Sequence, residues 1–179
     1  MRGKYEAEKQ QTRLIVLLSI GIAVCLAVTI WALFFRQPRV VLTPDYAPRE
    51  TEQNAEPIPD DDSVRLDTPA GGGSITIEYD NHATIDLSDK KAYLSYANPG
   101  KSTQNIVLRI EIQDTVVAQS GTIQPGSQVH VLALLEGAEK QLQTGVYTDA
   151  AFKILSYDPE TGEKAMIDTV AEITVTVRN

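Results

Sequence analysis

The chain has 179 residues, 24 acidic against 16 basic, and a single cysteine, giving a formal net charge of −8. That balance excludes a phosphate-tracking nucleic-acid surface, which needs clustered lysine and arginine, and it is unsuited to anionic lipid headgroups. With only Cys25 there is no disulfide to form, so any folded region must be held by an apolar core.

In chain order, residues 1–13 form a short head carrying Arg2, Lys4, Lys9 and Arg13 against Glu6 and Glu8. Residues 14–35 (LIVLLSIGIAVCLAVTIWALFF) follow without a charge. At about 1.5 Å per residue such a run crosses a hydrocarbon layer of about 30 Å, and it reads as a transmembrane helix. Its polar breaks, Ser19, Cys25 and Thr29, do not make the stripe that a helix on a soluble core would show. A cleavable signal would be shorter and end at a small-x-small site, whereas this run leads into Phe34, Phe35, Arg36 and Pro38. The basic head predicts a cytoplasmic N-terminus and an extracytoplasmic remainder, with Trp31, Phe34 and Phe35 at the outer interface. Gly21 and Cys25 lie one turn apart, a spacing that permits close helix contact.

Residues 36–73 hold six of the nine prolines and eight acids, with few apolar residues. Composition of this kind cannot bury enough surface to offset ordering, and it predicts a flexible linker ending at Gly71, Gly72 and Gly73. Asp60, Asp61 and Asp62 lack the alternating ligands and the glycine of a calcium loop and read as a solvated spacer.

From residue 74 to 179 the period changes to two. Ile75, Ile77 and Tyr79 alternate with polar residues, then Ile85 and Leu87, then Ala92, Leu94 and Tyr96 before the Asn98-Pro99-Gly100 turn. In NIVLRIEIQ, Ile106, Leu108, Ile110 and Ile112 face inward while Arg109, Glu111 and Gln113 face out. A strand near residues 116–119, a Pro125-Gly126 turn, an inward set Val129, Val131 and Ala133, and a short helical turn within 132–143 come next. A long strand through Ala150, Phe152 and Ile154, a hairpin at 157–164, and a last strand with Ile173, Val175 and Val177 complete the pattern. Seven to eight short strands with regular turn signals predict an all-β domain, an antiparallel β-sandwich.

LQTGVY, residues 142–147, resembles the approach to the penultimate strand of immunoglobulin-like domains. The resemblance implies that the Tyr147 hydroxyl bonds back to the backbone of the corner. Asp149 stands where antibody domains keep a cysteine, and the inward set changes parity between Tyr147 and Phe152, so either a β-bulge intervenes or the tyrosine does not point inward. The layout of head, span and one sandwich is also similar to small anchored surface proteins of Gram-positive mobile or conjugative elements.

No constellation of residues points to chemistry. His82 beside a turn and His130 on an outward strand face have no ligand partners at metal spacing, and no Gly-x-Ser-x-Gly elbow occurs beyond the span. Asp158 and Glu160 belong to a turn, and Gly71 to Gly73 lack the lysine and helix of a phosphate loop. The expectation is a protein with no catalytic, cofactor-binding or metal-binding residues, working as an extracytoplasmic interaction or scaffolding module for another envelope or surface protein. Its contacts would come from Tyr93, Tyr96 and Tyr157 and from the loops 98–105 and 158–164. Two alternatives are an envelope or carbohydrate-binding module, which needs exposed aromatic platforms, and an accessory subunit of a membrane secretion or conjugation assembly, in which the span itself packs against partners.

Overall fold

The computed structural model describes residues 16–30, 42–67 and 73–179. They belong to two compact units, Met1–Arg39 and Val40–Asn179.

In the first unit residues 16–30 are helical, and the large apolar side chains from Val16 to Ile30 are 51% to 69% exposed. The Thr29 hydroxyl donates to the carbonyl of Cys25 (2.8 Å), so a polar group in an apolar stretch is satisfied by its own helix. Among the described residues no helix is long and apolar enough to cross a membrane. The described stretch measures about 22 Å at the α-helical rise. Residues 14–15 and 31–35 of the expected span, like the head at 1–13, lie outside the described residues.

The second unit is all β. Its strands are β1 (Ala55–Pro57), β2 (Glu78–Tyr79), β3 (His82–Asp86), β4 (Lys91–Asn98), β5 (Asn105–Ile112), β6 (Thr115–Gln119), β7 (Ser127–Ala133), β8 (Gly145–Tyr157) and β9 (Thr169–Arg178), with a 3-10 turn at Ala138–Lys140. Eight of them form one curled sheet in the order β1-β7-β4-β3-β9-β8-β5-β6, and β2 pairs beside β4. The ends of the curl approach where the Leu135 N–H donates to Val117 O (2.9 Å). The concave side encloses Ile85, Leu94, Tyr96, Ile106, Leu108, Ile110, Phe152, Ile154, Ile173 and Val175. These include most of the inward positions that the alternation specifies.

Three features depart from that pattern. The sheet is mixed, since β3 runs parallel to β9 (Ala83 opposite Val175, Ile85 opposite Val177) while every other strand pair is antiparallel. In β7 Leu132, not Val131 or Ala133, takes the buried place after Val129, because the β4–β7 register shifts between Tyr93 and Tyr96. The stretch 73–77 is not a strand, and Tyr79 is exposed at the mouth of the curl with its ring edge-on to Phe152.

The larger correction concerns the linker. Of residues 36–73, only 42–67 and 73 are described, and 42–67 form a strap laid along the β unit. The Ala47 N–H donates to Gly162 O, Glu52 N–H to Thr122 O and Thr122 N–H to Glu50 O. β1 then adds to β7 with Ala55 opposite Val129, and Ile58 N–H donates to Gly126 O. Gly121 permits this passage, because a Cβ there would stand 2.9 Å from backbone atoms of Glu50, Thr51 and Glu52. The strap has little apolar surface of its own; its order comes from pairing backbone groups with strands far away in sequence.

Candidate interaction surfaces

The outward face of β5 and β8 is where the strap begins. Arg109 was expected to meet solvent, yet it is buried, and its guanidinium donates to Leu42 O (2.7 Å), Thr43 Oγ1 (3.0 Å) and Gln119 Oε1 (2.7 Å). Burial lowers its pKa, and neighbouring Glu111 works against that shift. Next to it Val107, Leu155 and Tyr157 make a second small apolar cluster, capped by Ala47. A strand with core on one side and a strap on the other buries both faces, and this is why period-two reading misplaces Arg109.

The three tyrosines proposed as contacts fare differently. Tyr157 is fully buried and its hydroxyl donates to Pro44 O (3.2 Å), so it anchors the strap. Tyr96 is buried in the core edge-on to Phe152, and burial pushes its hydroxyl pKa far upward. Neither is available to a partner in this arrangement. Tyr93 alone remains outward on β4, 37% exposed, with its hydroxyl donating to the carboxylate of Asp89. That bond, more than any other influence, raises its pKa.

The loops divide in the same way. In 98–105, Asn98, Ser102, Thr103 and Gln104 are buried beneath the strap and the residues that follow it. Gly100 N–H donates to Asp61 Oδ2 (2.6 Å), Leu66 N–H to Lys101 O (2.8 Å) and Thr103 N–H to Ser74 O (2.8 Å). The middle aspartate of the acidic run is thus a tether. Hydrogen bonds from the Ser63 side chain and from Gly100 hold its carboxylate below the ordinary range. The 158–164 turn remains outside. There Asp158 Oδ1 accepts from Glu160 N–H (2.9 Å) and Thr161 N–H (2.8 Å), the turn role its sequence implies.

Two surfaces were not legible in the sequence. An open cleft of about 690 Å³ is lined by Ile58, Glu78, Tyr79, Asn81, Ser95 and Gln128, polar apart from Tyr79, Ile58 and a neighbouring alanine. It exists because β1 and β2 both lie beside the β4–β7 pair. The other is a group of exposed apolar side chains at the start of β9, Met166, Ile167 and Val170. They have no alternation to mark them. His82 and His130 are exposed, His130 beside Glu56 (3.4 Å). Among the described residues no three potential ligands converge on a metal position.

Two local expectations are met at the 142–147 corner. The Tyr147 hydroxyl donates to Gln143 O (3.0 Å) and accepts from Gln143 N–H (3.1 Å), and the β8–β9 register shifts between Tyr147 and Ala150, so of the two readings of the parity change the bulge is the one found. In comparisons with known proteins, no family model matches the chain and no curated protein matches it.

Proposed function

We propose that this protein is a membrane-anchored, non-catalytic interaction module that holds an immunoglobulin-like domain outside the cytoplasm against another envelope protein. The observation that carries the anchor is the helix at 16–30. It is apolar on all sides and its large side chains are uncovered, and a helix of that kind is stable only within lipid or a protein core. The immunoglobulin-like assignment is supported by the tyrosine-corner bonds of Tyr147, by the bulge that follows, and by the antiparallel ladder β9-β8-β5-β6 joined to β3-β4-β7 through one parallel pair. As the partner surface we favour the outward face of β4 and β7, with Tyr93 and the adjoining cleft, because the outward face at β5 and β8 is already covered by the strap.

Protease treatment of intact cells, combined with photo-crosslinking from position 93, tests both parts. The reading expects the β domain to be cut from outside and a protein adduct to form at 93. Protection of the domain until the cells are lysed overturns the topology, and an adduct-free position 93 alongside adducts elsewhere on the domain overturns the surface.

A further inference from the structure

The start of the strap and the uncovered apolar side chains fall together. Arg109, Lys153 and Val170 are successive cross-strand partners on β5, β8 and β9, so their side chains share the outward face. On this face Arg109 holds the carbonyl of Leu42, whose own side chain is 81% exposed, while Val170 is 61% exposed. Met166 and Ile167, 99% and 79% exposed, lead into the same end of β9. The segment before them is tied to the strap, with Lys164 N–H donating to Asp45 O (2.9 Å) and Tyr46 bridging to Glu163. Single exposed apolar residues are ordinary, but four gathered at one end of a domain mark a surface that meets something.

We propose that Leu42, Met166, Ile167 and Val170 form a rim that rests in the interfacial layer of a zwitterionic lipid bilayer. This rests on the reading of residues 14–35 as a membrane anchor. Seven peptide steps separate Phe35 from Leu42, and an extended chain of that length reaches about 25 Å at most. Because the strap is pinned at Leu42, the 38-residue spacer expected from composition shortens to this connector, and an anchored domain stays next to the bilayer. Four aliphatic or thioether side chains bind an interface weakly by themselves, but the tether makes their insertion an intramolecular event with a high effective concentration. The charges beside the rim select the lipid. Lys164 is paired with Asp168, and Asp45 and Glu163 offset Arg36 and Arg39 of the connector, so no net positive charge beside the rim draws anionic headgroups.

The test uses the full chain carrying Cys25→Ser and a single nitroxide at Met166→Cys, reconstituted with phosphatidylcholine vesicles. A second sample carries the label at Val146→Cys, an exposed position at the far end of β8. Flotation reports anchoring, and collision rates with oxygen and with a water-soluble nickel chelate report depth. The expected result is a protein that floats, with a severalfold lower chelate collision rate and a raised oxygen rate at 166 relative to 146. Failure to float overturns the anchor and the rim together. Flotation with equal chelate access at the two positions overturns the rim and leaves the anchor standing. Dipolar broadening between labels at 166, with no rise in the oxygen rate, assigns the surface to a second copy of the chain and overturns the lipid reading.

Discussion

Replacing Arg109 by methionine should loosen the start of the strap without unfolding the sheet. Among the described partners the side chain donates to Leu42 O, Thr43 Oγ1 and Gln119 Oε1, and methionine keeps most of its stem while removing these bonds. Hydrogen bonds from a charged donor contribute about 1.5–3 kcal/mol each before the cost of burying the charge is counted. That cost disappears in the variant, so global stability should change by about 1 kcal/mol or less in either direction. Among the described residues two bonds, to Leu42 O and Thr43 Oγ1, join Arg109 to the strap, together about 3–6 kcal/mol. Opening the strap rehydrates the guanidinium and recovers part of its burial cost, so their loss should lower the opening free energy by about 2–4 kcal/mol, equivalent to about 30- to 900-fold faster amide exchange. The reporters are the Ala47 N–H, bonded to Gly162 O, and the Lys164 N–H, bonded to Asp45 O. The Glu52 N–H, bonded to Thr122 O further along, serves as a control. Hydrogen exchange read by NMR or mass spectrometry decides the matter. Unchanged exchange at Ala47 and Lys164 would refute the assignment of Arg109 as the clasp, and equal acceleration at Glu52 would show that the strap opens as one piece.

Gly121→Ala should displace the strap at a second point, because the added methyl meets backbone at 2.9 Å; Glu52 exchange should accelerate, with a stability loss of about 1–3 kcal/mol by thermal unfolding. Tyr147→Phe removes the two bonds to Gln143 while keeping the ring against the core, and denaturant titration should show a loss of about 1 kcal/mol. Asp61 has a folded pKa below its unfolded one, so its contribution is fully present above about pH 4 and is lost as the pH falls through the folded value. Asp61→Asn should therefore flatten the acid limb of the stability profile; an unaltered limb would mean that the Gly100 tether carries no linkage.

The expectations that survived are those in which one residue's neighbours along the chain suffice to specify its environment. Ile106, Leu108, Ile110 and Ile112 alternate against a single core, and Leu142, Gly145 and Tyr147 define a corner within six residues, so their roles are fixed locally. The parity break between Tyr147 and Phe152 left a bulge or an outward tyrosine, and the register shift decides for the bulge. Tyr96 illustrates the limit of the same reasoning. Its alternation placed it inward, yet its residue type suggested a contact, and burial in the sheet decided for the core.

What the order of residues along the chain determined was the apolar stretch near the start, the all-β character of residues 74–179, and most of the inward faces. The tertiary structure alone decided the fate of residues 42–67. Their prolines and acids give no apolar face and no period, so nothing local distinguishes a flexible spacer from a strap. The difference lies in partners far away in sequence: Thr122 Oγ1 donating to Pro48 O (2.8 Å), Tyr157 to Pro44 O, and Arg109 to Leu42 O. The same long-range pairing buried Arg109 and Tyr157 and gathered the exposed rim at the place where the chain enters the domain. Hydrogen bonds between segments so distant leave no periodic trace in either one, because each partner's residue type is ordinary until the other segment arrives.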